Sequence, residues 1–397
     1  MKKPKVFVGV SGGVDSSVAL ALLQKQGYDV TGVFLKVWHP DFLPCDWREE
    51  RRSAMRVCAT LGVPFLTLDC EAEYKKEVAD YMINEYKMGR TPNPDIFCNK
   101  YVKFGVFLKK ALEMGADYIA TGHYAVVKNQ SSLSGNVLAE HRAGRRSERE
   151  EIRQQANILF PTKFSPKKNS EPFQLHESVD DNKDQSYFLY TLNQEQLSHV
   201  LFPVGDMTKP QVRKCAEEFG LPTATKKDSQ GVCFLGELDM KEFLSHYIES
   251  KKGDVLNTNG EVIGTHNGAI FSTIGERHGF TITKKTPHDG RYFVIAKDIE
   301  KNTITVAEKK SEPEKVFSIT EIVVPHLHFI GAEPALPYVT SARIRYRQEK
   351  QTCMLTQQDD GYHIVFHTPQ NGIAVGQSAV LYDGTHCLGG GIIEKVL

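Results

Sequence analysis

The chain has 397 residues, of which 40% are hydrophobic and 25% charged, enough to bury two or three cores. Its 49 basic and 49 acidic side chains cancel, so a nucleic-acid partner would be met by local basic patches and not by the field of the whole molecule. No apolar run reaches membrane-spanning length, and the eight cysteines form no Cys-x-x-Cys pair, which speaks against a zinc or iron–sulfur knuckle and against a small disulfide scaffold.

The first strand starts directly after MKKPK, leaving no room for a signal or transit peptide, and a cytoplasmic protein without membrane contact is expected. Apolar periodicity predicts strands at 5–10, 29–35, 64–69 and 117–121, alternating with helices at 16–26, 47–61, 71–87 and 99–114. That order implies an α/β fold, a parallel sheet with helical crossovers. Gly27, Gly62 and Gly115 stand just past three of the helices, where a left-handed cap is expected. Ligands of such sheets bind at the C-terminal strand edge, which brings together residues 9–17, Leu35 with Lys36, and Thr121-Gly122-His123.

The turn after the first strand reads Gly9-Val10-Ser11-Gly12-Gly13-Val14-Asp15-Ser16-Ser17. The glycine pair lets the backbone turn tightly and approach a charged ligand, and the following helix start offers free N–H groups to an anion. Ser11, Ser16 and Ser17 are expected to add hydroxyl donors, and Asp15 to help hold a magnesium ion. The segment lacks the Gly-Lys-Ser/Thr ending of a Walker loop and is not a GxGxxG fingerprint.

Residues 128–176 break the rhythm and read as a surface insertion, with five arginines between 142 and 153 interleaved with glutamates. Helices are predicted at 187–200 and 208–219, the second opened by Thr208, Lys209 and Pro210. From about 253 the pattern turns to short alternating runs with glycine turns, which is β structure. The expected division is a catalytic domain at 1–239, a small β-rich central domain at 240–308 and a C-terminal β-barrel at 309–397. In the last, ARIRYRQ alternates so that Arg343, Arg345 and Arg347 share one strand face, either a phosphate-tracking row or a solvated face.

Two cysteines lie in polar, turn-rich segments. Cys98 follows Pro92 and Pro94 at an expected helix start carrying Lys100 and Lys103, and Cys233 follows Lys226 and Lys227, settings that favour a thiolate. Cys58, Cys215 and Cys353 read as inert buried thiols, and Cys45 and Cys70 stay open.

The chain resembles the tRNA-specific 2-thiouridylases of the ATP pyrophosphatase superfamily, whose adenine nucleotide alpha-hydrolase-like fold it would share. SGGVDSS, GRTPNPDIFCNKYVKF, ADYIATGHYA, NKDQSYFLY, LFPVGDMTKPQVRK, KKDSQGVCFLGE, ARIRYRQ and GQSAVLYDGTHCLGGGII stand here in that family's order. SGGxDS alone indicates only an ATP pyrophosphatase, and the cysteine segments narrow it. The resemblance implies that Gly9 to Ser16, Leu35 and Gly122 hold ATP with Mg2+, and that the wobble uridine's C2 oxygen attacks the α-phosphorus. Cys233 would carry persulfide sulfur, with Cys98 as nucleophile or resolving thiol and a redox-active Cys98–Cys233 disulfide as the outcome. Asn93, Pro94 and Asp95 would meet the target base; His123, Lys183, Asp184, Gln185, Arg345, Tyr346 and Gln377 would contact tRNA. A persulfide sulfur-relay protein is the implied donor, and a monomer the expected state. The chain departs from the family at Glu276, where Gln is usual, and at Leu35, where many members have Met.

Two rivals differ in class. A lysidine-synthase-type ligase would need no cysteine pair, and a tRNA-binding module without catalysis would need neither the pair nor an intact SGGVDS loop. A cluster-dependent thiolase would need the absent Cys-x-x-Cys ligands.

Overall fold

The strand Lys5–Gly9 (β1) is buried along its middle, as Val, Phe and Val at the centre of a parallel sheet must be. It belongs to a computed structural model that describes residues 3–42, 47–129, 172–228, 233, 240–284, 290–308 and 319–397. Packing separates two units: Met1–Ala72, Asn99–Ser229 and Thr385–Cys387 in the first, Glu73–Cys98, Gln230–Gly384 and Leu388–Leu397 in the second. No helix among the described residues is long and apolar enough to cross a membrane.

In the first unit β1 lies between two parallel neighbours, β2 (Asp29–Lys36) and β4 (Tyr118–Ala120), with β3 (Phe65–Asp69) beyond β2 and Val200–Leu201 beyond β4. The chain leaves β1 toward β2 on one side and reaches β4 on the other, so the crevice between the C-terminal ends of β1 and β4 is the topological switch point where such sheets bind ligands. Helix α1 (Val14–Lys25) is buried at Val14 and from Ser16 through Leu23, which is why VALALL carries no polar stripe. Helix α2 (Trp47–Leu61) buries only Ala54, Val57 and Cys58 and keeps its charges outward. Both helices agree with the sequence reading, the second to the residue.

Three expectations change. The helix predicted at 99–114 starts at Pro94, capped by Asn93, and runs through a wide-turned stretch, Cys98–Phe107, into Leu108–Glu113. The helix predicted at 187–200 is a short turn, Ser186–Phe188, followed by a separate helix, Gln194–Ser198. Tyr187, Leu189, Tyr190 and Leu192 are all buried, so no polar face exists to support a surface helix, and Asn193 opens the later one through a reciprocal cap with Gln196. The insertion expected from 128 begins inside structure: β5 (Ala125–Asn129) pairs antiparallel with β6 (Phe173–Glu177). The five arginines lie outside the described residues.

The second unit joins a segment from early in the chain to the C-terminal half. Its Glu73–Cys98 segment packs with the C-terminal half: the Thr91 N–H donates to Val375 O at 2.9 Å, and Arg90 Nη1 stands 3.1 Å from Glu394 Oε2. A side chain at Gly89, whose φ is +73°, would press on Ile299. The strands Gly253–Leu256, Val262–His266, Phe280–Ile282, Tyr292–Asp298 and Thr303–Glu308 form one sheet around Val255, Val294, Ile304 and Val306. Further strands, among them Ile319–Val324, Tyr338–Arg343, Gln351–Gln358, Gly361–Gln370 and Ser378–Asp383, wrap a core of Ile322, Leu355, Ile364 and Leu381.

The arginine row does not form. Its strand ends at Arg343; Gln348 Oε1 then takes the Ile344 N–H at 3.1 Å and Arg347 turns left-handed at φ 63°, so the alternation stops. Arg343 lies over the Tyr382 ring and Arg347 over Tyr346, while Arg345 Nη2 donates to the carbonyls of Ile274 and Gly372.

His363 in the same region sits between two carboxylates, Nε2 at 2.7 Å from Asp360 and Nδ1 at 2.5 Å from Glu321. Hydrogen bonds to Asp360 and then Glu321 hold its pKa above the ordinary value. A histidine raised on folding stabilises fully below its unfolded pKa of about 6.5 and loses that contribution as pH rises through the folded value. We therefore expect His363→Gln to lower the melting temperature at pH 6 by a few degrees and by progressively less toward pH 9. A deficit that does not shrink across that range would contradict the assignment.

Candidate functional site

The loop after β1 is built by close approach. A Cβ at Gly12, whose φ is +77°, would meet Glu50 O at 2.7 Å and Ser53 Cβ at 2.9 Å, so only glycine fits. Gly13 is the N-cap of α1 and carries no side chain to occupy the helix's free N–H groups. The serines serve the loop more than they face out. Ser17 Oγ donates to Gly13 O at 2.7 Å and is fully buried; Ser16 Oγ donates to the same carbonyl at 3.2 Å and accepts from the Ser11 N–H at 3.2 Å. The expectation of three hydroxyls for a ligand is corrected accordingly: Ser16 and Ser17 shape the turn, and Ser11 Oγ accepts from the Gly13 N–H at 3.4 Å. Val10 and Val14 are buried beneath it, and Leu35, 5% exposed, is the last residue but one of β2.

Gly122 follows β4 and touches the start of α1, where a Cβ would lie 2.5 Å from Ser16 N and 2.7 Å from Asp15 C. Gly122→Ala must push the loop from its place. We expect a loss of roughly 1–3 kcal/mol in stability and at least about tenfold in ATP affinity, by thermal melting and calorimetric titration. Wild-type affinity in the variant would contradict this account of the loop.

Asp15 accepts from Tyr124 Oη at 2.7 Å and from Lys209 Nζ at 2.7 and 2.9 Å. Lys209, only 9% exposed, also lies 2.9 Å from Asp228 Oδ1. Desolvation pushes the Asp228 carboxyl up, but hydrogen bonds from Lys183 and Lys209 outweigh it and hold the pKa at about 2. Arg213 reaches the same carboxylate at 2.7 Å, and Lys226 donates to Gly12 O at 3.0 Å. The cations around this loop suit the phosphates of a nucleotide. They do not suit a magnesium ion held by Asp15, whose oxygens already face an ammonium and a phenol. Among the described residues no group of three metal-ligating side chains exists.

Several expected tRNA contacts have internal partners. Lys183 pairs with Asp228 at 2.6 Å. Asp184, 3% exposed, accepts from Ser178 N, Ser186 N and Ser186 Oγ, and Gln185 Oε1 accepts from Tyr124 N. His123 is buried, and burial, then Lys103, pushes its pKa well below the ordinary value. The neutral ring thus accepts from Lys103 at Nε2, 3.3 Å away, and donates from Nδ1 to Thr121 Oγ1 at 2.7 Å. Lys103 and Lys226, expected to acidify the two thiols, are committed here instead.

In the second unit Asn93 caps the helix Pro94–Phe97, its Oδ1 accepting from the Ile96 N–H at 3.4 Å. Cys98 therefore sits a full turn inside the helix, completely buried, and its Sγ lies 3.5 Å from Cys233 Sγ. Both are thiols. A disulfide bond is about 2 Å long, so the expected bridge is not formed here but is within a small movement. Cys233 is held at both backbone ends: its N–H donates to Asp95 Oδ1 at 2.9 Å and its carbonyl accepts from Tyr74 Oη at 2.8 Å. Burial first, and then the nearby cysteines and Asp95, raise the Tyr74 pKa well above the ordinary value, keeping the phenol a donor. Asp95, expected at the target base, thus braces Cys233 with one oxygen. Cys58 and Cys353 are pushed up by burial to about 11 and about 12, in keeping with inert thiols; Cys45 lies outside the described residues.

Glu276 closes a turn, accepting from the Thr273 N–H at 3.0 Å, and pairs with Lys241 at 2.9 Å. The roles of Tyr124, Lys209, Asp228 and Tyr74 at these sites escaped the sequence reading, which took Lys209 only as a helix opener, because their partners lie far away in the chain, Lys209 being 194 residues from Asp15.

Family models match along the chain: a tRNA methyl transferase HUP domain at residues 4–237, a tRNA methyl transferase PRC-barrel domain at 241–308 and an aminomethyltransferase beta-barrel domain at 319–393. A protein of Francisella philomiragia named tRNA-specific 2-thiouridylase MnmA is 41% identical over 99% of this chain and 100% of its own length. Proteins with that name from Pseudomonas paraeruginosa and Listeria innocua are each 40% identical over 99% of this chain and 95% of theirs.

Proposed function

This chain belongs to the tRNA-specific 2-thiouridylase family, and from that premise we propose that it is an ATP-dependent tRNA-uridine 2-sulfurtransferase. One observation carries the choice of sulfur chemistry: two thiols face each other at 3.5 Å, one of them fixed at both ends of its peptide. Amine ligation would have no use for such a pair, and the relatives named 2-thiouridylase favour sulfur transfer over the methyl transfer in the family models' names.

A uridine carbonyl is a poor electrophile until its oxygen becomes a leaving group. The Gly9–Ser16 loop with α1's N-terminus, Lys209 and Lys226 would hold the triphosphate, while Leu35 offers an apolar surface to the base and Gly122 holds the loop's shape. The wobble uridine's C2 oxygen attacks the α-phosphorus and pyrophosphate leaves. No step is assigned to magnesium, since Asp15 is committed to Lys209. A persulfide on Cys233 then supplies sulfur: it enters at C2, AMP leaves with the former C2 oxygen, and Cys98 gives the second thiol, so that the two electrons needed to turn sulfane sulfur into the thione come from the cysteine pair, which ends as a disulfide. Asn93, Pro94 and Asp95 would shape the seat of the base. His123 with Lys103, Lys183, Asp184, Gln185, Arg345 and Tyr346 would serve tRNA directly or by shaping its surface. A persulfide relay protein as donor, a monomeric state and a cytoplasmic location go with this reading.

Oxygen labelling tests it. With 18O at C2 of the wobble uridine, the label should appear in AMP as thiolation proceeds. Unlabelled AMP would exclude adenylation of the base.

A further inference from the structure

The segment Arg90-Thr91-Pro92 leads the chain into Asn93 and the helix bearing Asp95 and Cys98. It is neither helix nor strand, so neighbours must set its path. Arg90 is held between Glu85, at 2.7 Å, and Glu394, at 3.1 Å. The Thr91 N–H donates to Val375 O at 2.9 Å, and Gly376, with φ +92°, lies so close that a Cβ there would meet Thr91 N at 2.9 Å and Arg90 Cβ at 3.1 Å. Gln377 completes the grip: its Nε2 donates to Thr91 O at 2.8 Å and reaches Pro92 O at 3.4 Å. Its own backbone is fixed, since its carbonyl accepts from the Ile393 N–H at 2.8 Å.

We propose that Gln377 is a positioning residue for sulfur transfer: its amide fixes Thr91 and Pro92, and through them the helix start that aims Asp95 and Cys98 at Cys233. The inference rests on the proposed thiolation. The resemblance makes Gln377 a tRNA contact, and the two roles separate in kinetics. A contact with RNA sets affinity, whereas a brace on the reacting groups sets turnover and acts before RNA arrives. The residue's place suits a brace. It also lines a cavity of about 370 Å³ with Thr273, Glu276 and Arg345, so a molecule entering there would meet the residue that holds the catalytic segment.

Gln377→Met keeps length and removes the donor without adding charge. We expect tRNA affinity within about twofold of wild type, turnover at saturating tRNA reduced roughly tenfold or more, and Cys98 alkylated several-fold faster by iodoacetamide in the tRNA-free protein, read by peptide mass spectrometry. Unchanged saturated turnover and unchanged Cys98 alkylation, with weakened tRNA binding, would overturn the proposal. Should the variant fail to fold, hydrogen exchange on tRNA-free wild type, read by NMR, decides: slow exchange of the Gln377 side-chain amide, the donor to Thr91 O, supports the brace, and exchange at the rate of a free amide side chain overturns it. Alkylation and exchange need no thiolation, so failure of the brace and failure of the proposed activity are distinguishable.

Discussion

Cys233→Ser is expected to lower 2-thiouridine formation by at least roughly a thousand-fold, equivalent to about 4 kcal/mol of barrier, while tRNA-dependent release of pyrophosphate from ATP continues. Serine keeps the backbone bonds to Asp95 and Tyr74, so the local fold should survive. What it cannot do is hold a sulfane sulfur. Cys98→Ser should give a comparable loss in turnover and differ in what accumulates: persulfide still loads on Cys233, but no thiol stands 3.5 Å away to complete the reduction. Intact-mass spectrometry should then find the +32 Da adduct of one sulfur atom in Cys98→Ser and not in Cys233→Ser. Full thiolation by either variant would remove the cysteine pair from the mechanism.

Lys209→Met should reduce kcat/KM for ATP by roughly a hundred-fold or more, an effect of about 3 kcal/mol. The Lys209 ammonium is nearly enclosed and bridges Asp15 and Asp228, so removing it leaves Asp15 with only the Tyr124 hydroxyl among these partners and withdraws a cation from the phosphate loop. Breaking such a pair also costs stability, of the order of 3 kcal/mol, most of it the price of an uncompensated carboxylate. The combined Asp15→Asn and Lys209→Met variant should therefore melt higher than Lys209→Met alone, without regaining ATP turnover. Circular dichroism and tRNA binding separate a folding failure from a catalytic one. Near wild-type ATP kinetics in Lys209→Met would show that the ammonium serves the fold alone.

What was legible in the sequence was local. The helix Trp47–Leu61 shows a clear amphipathic period, and the glycine turn before α1 has one physical meaning. The cysteine segments carried family character in their flanking residues. What was not legible depends on chain closure: Asp15 meets Lys209 across 194 residues, and Cys233 meets Tyr74 across 159. Strand alternation in ARIRYRQ was a reasonable reading of side-chain period, yet the Gln348 side chain turns the chain after Arg343 and scatters the arginines. The run YFLYTL failed for another reason, since a segment buried on every side shows no periodicity by which helix and turn can be told apart. Serines beside a glycine turn likewise read as ligand donors until the structure shows Ser17 spent on Gly13 O.

The central claim, that this protein puts sulfur on C2 of the wobble uridine with the sulfur carried by Cys233, is tested most directly by one reaction. Wild-type protein, ATP, magnesium, a 34S-labelled persulfide and an unmodified wobble-uridine tRNA are combined, and the digested nucleosides are weighed by mass spectrometry. The account predicts 34S-labelled 2-thiouridine that requires ATP and disappears in Cys233→Ala. Wild type that makes no 2-thiouridine, or Cys233→Ala that still makes it, would contradict the account.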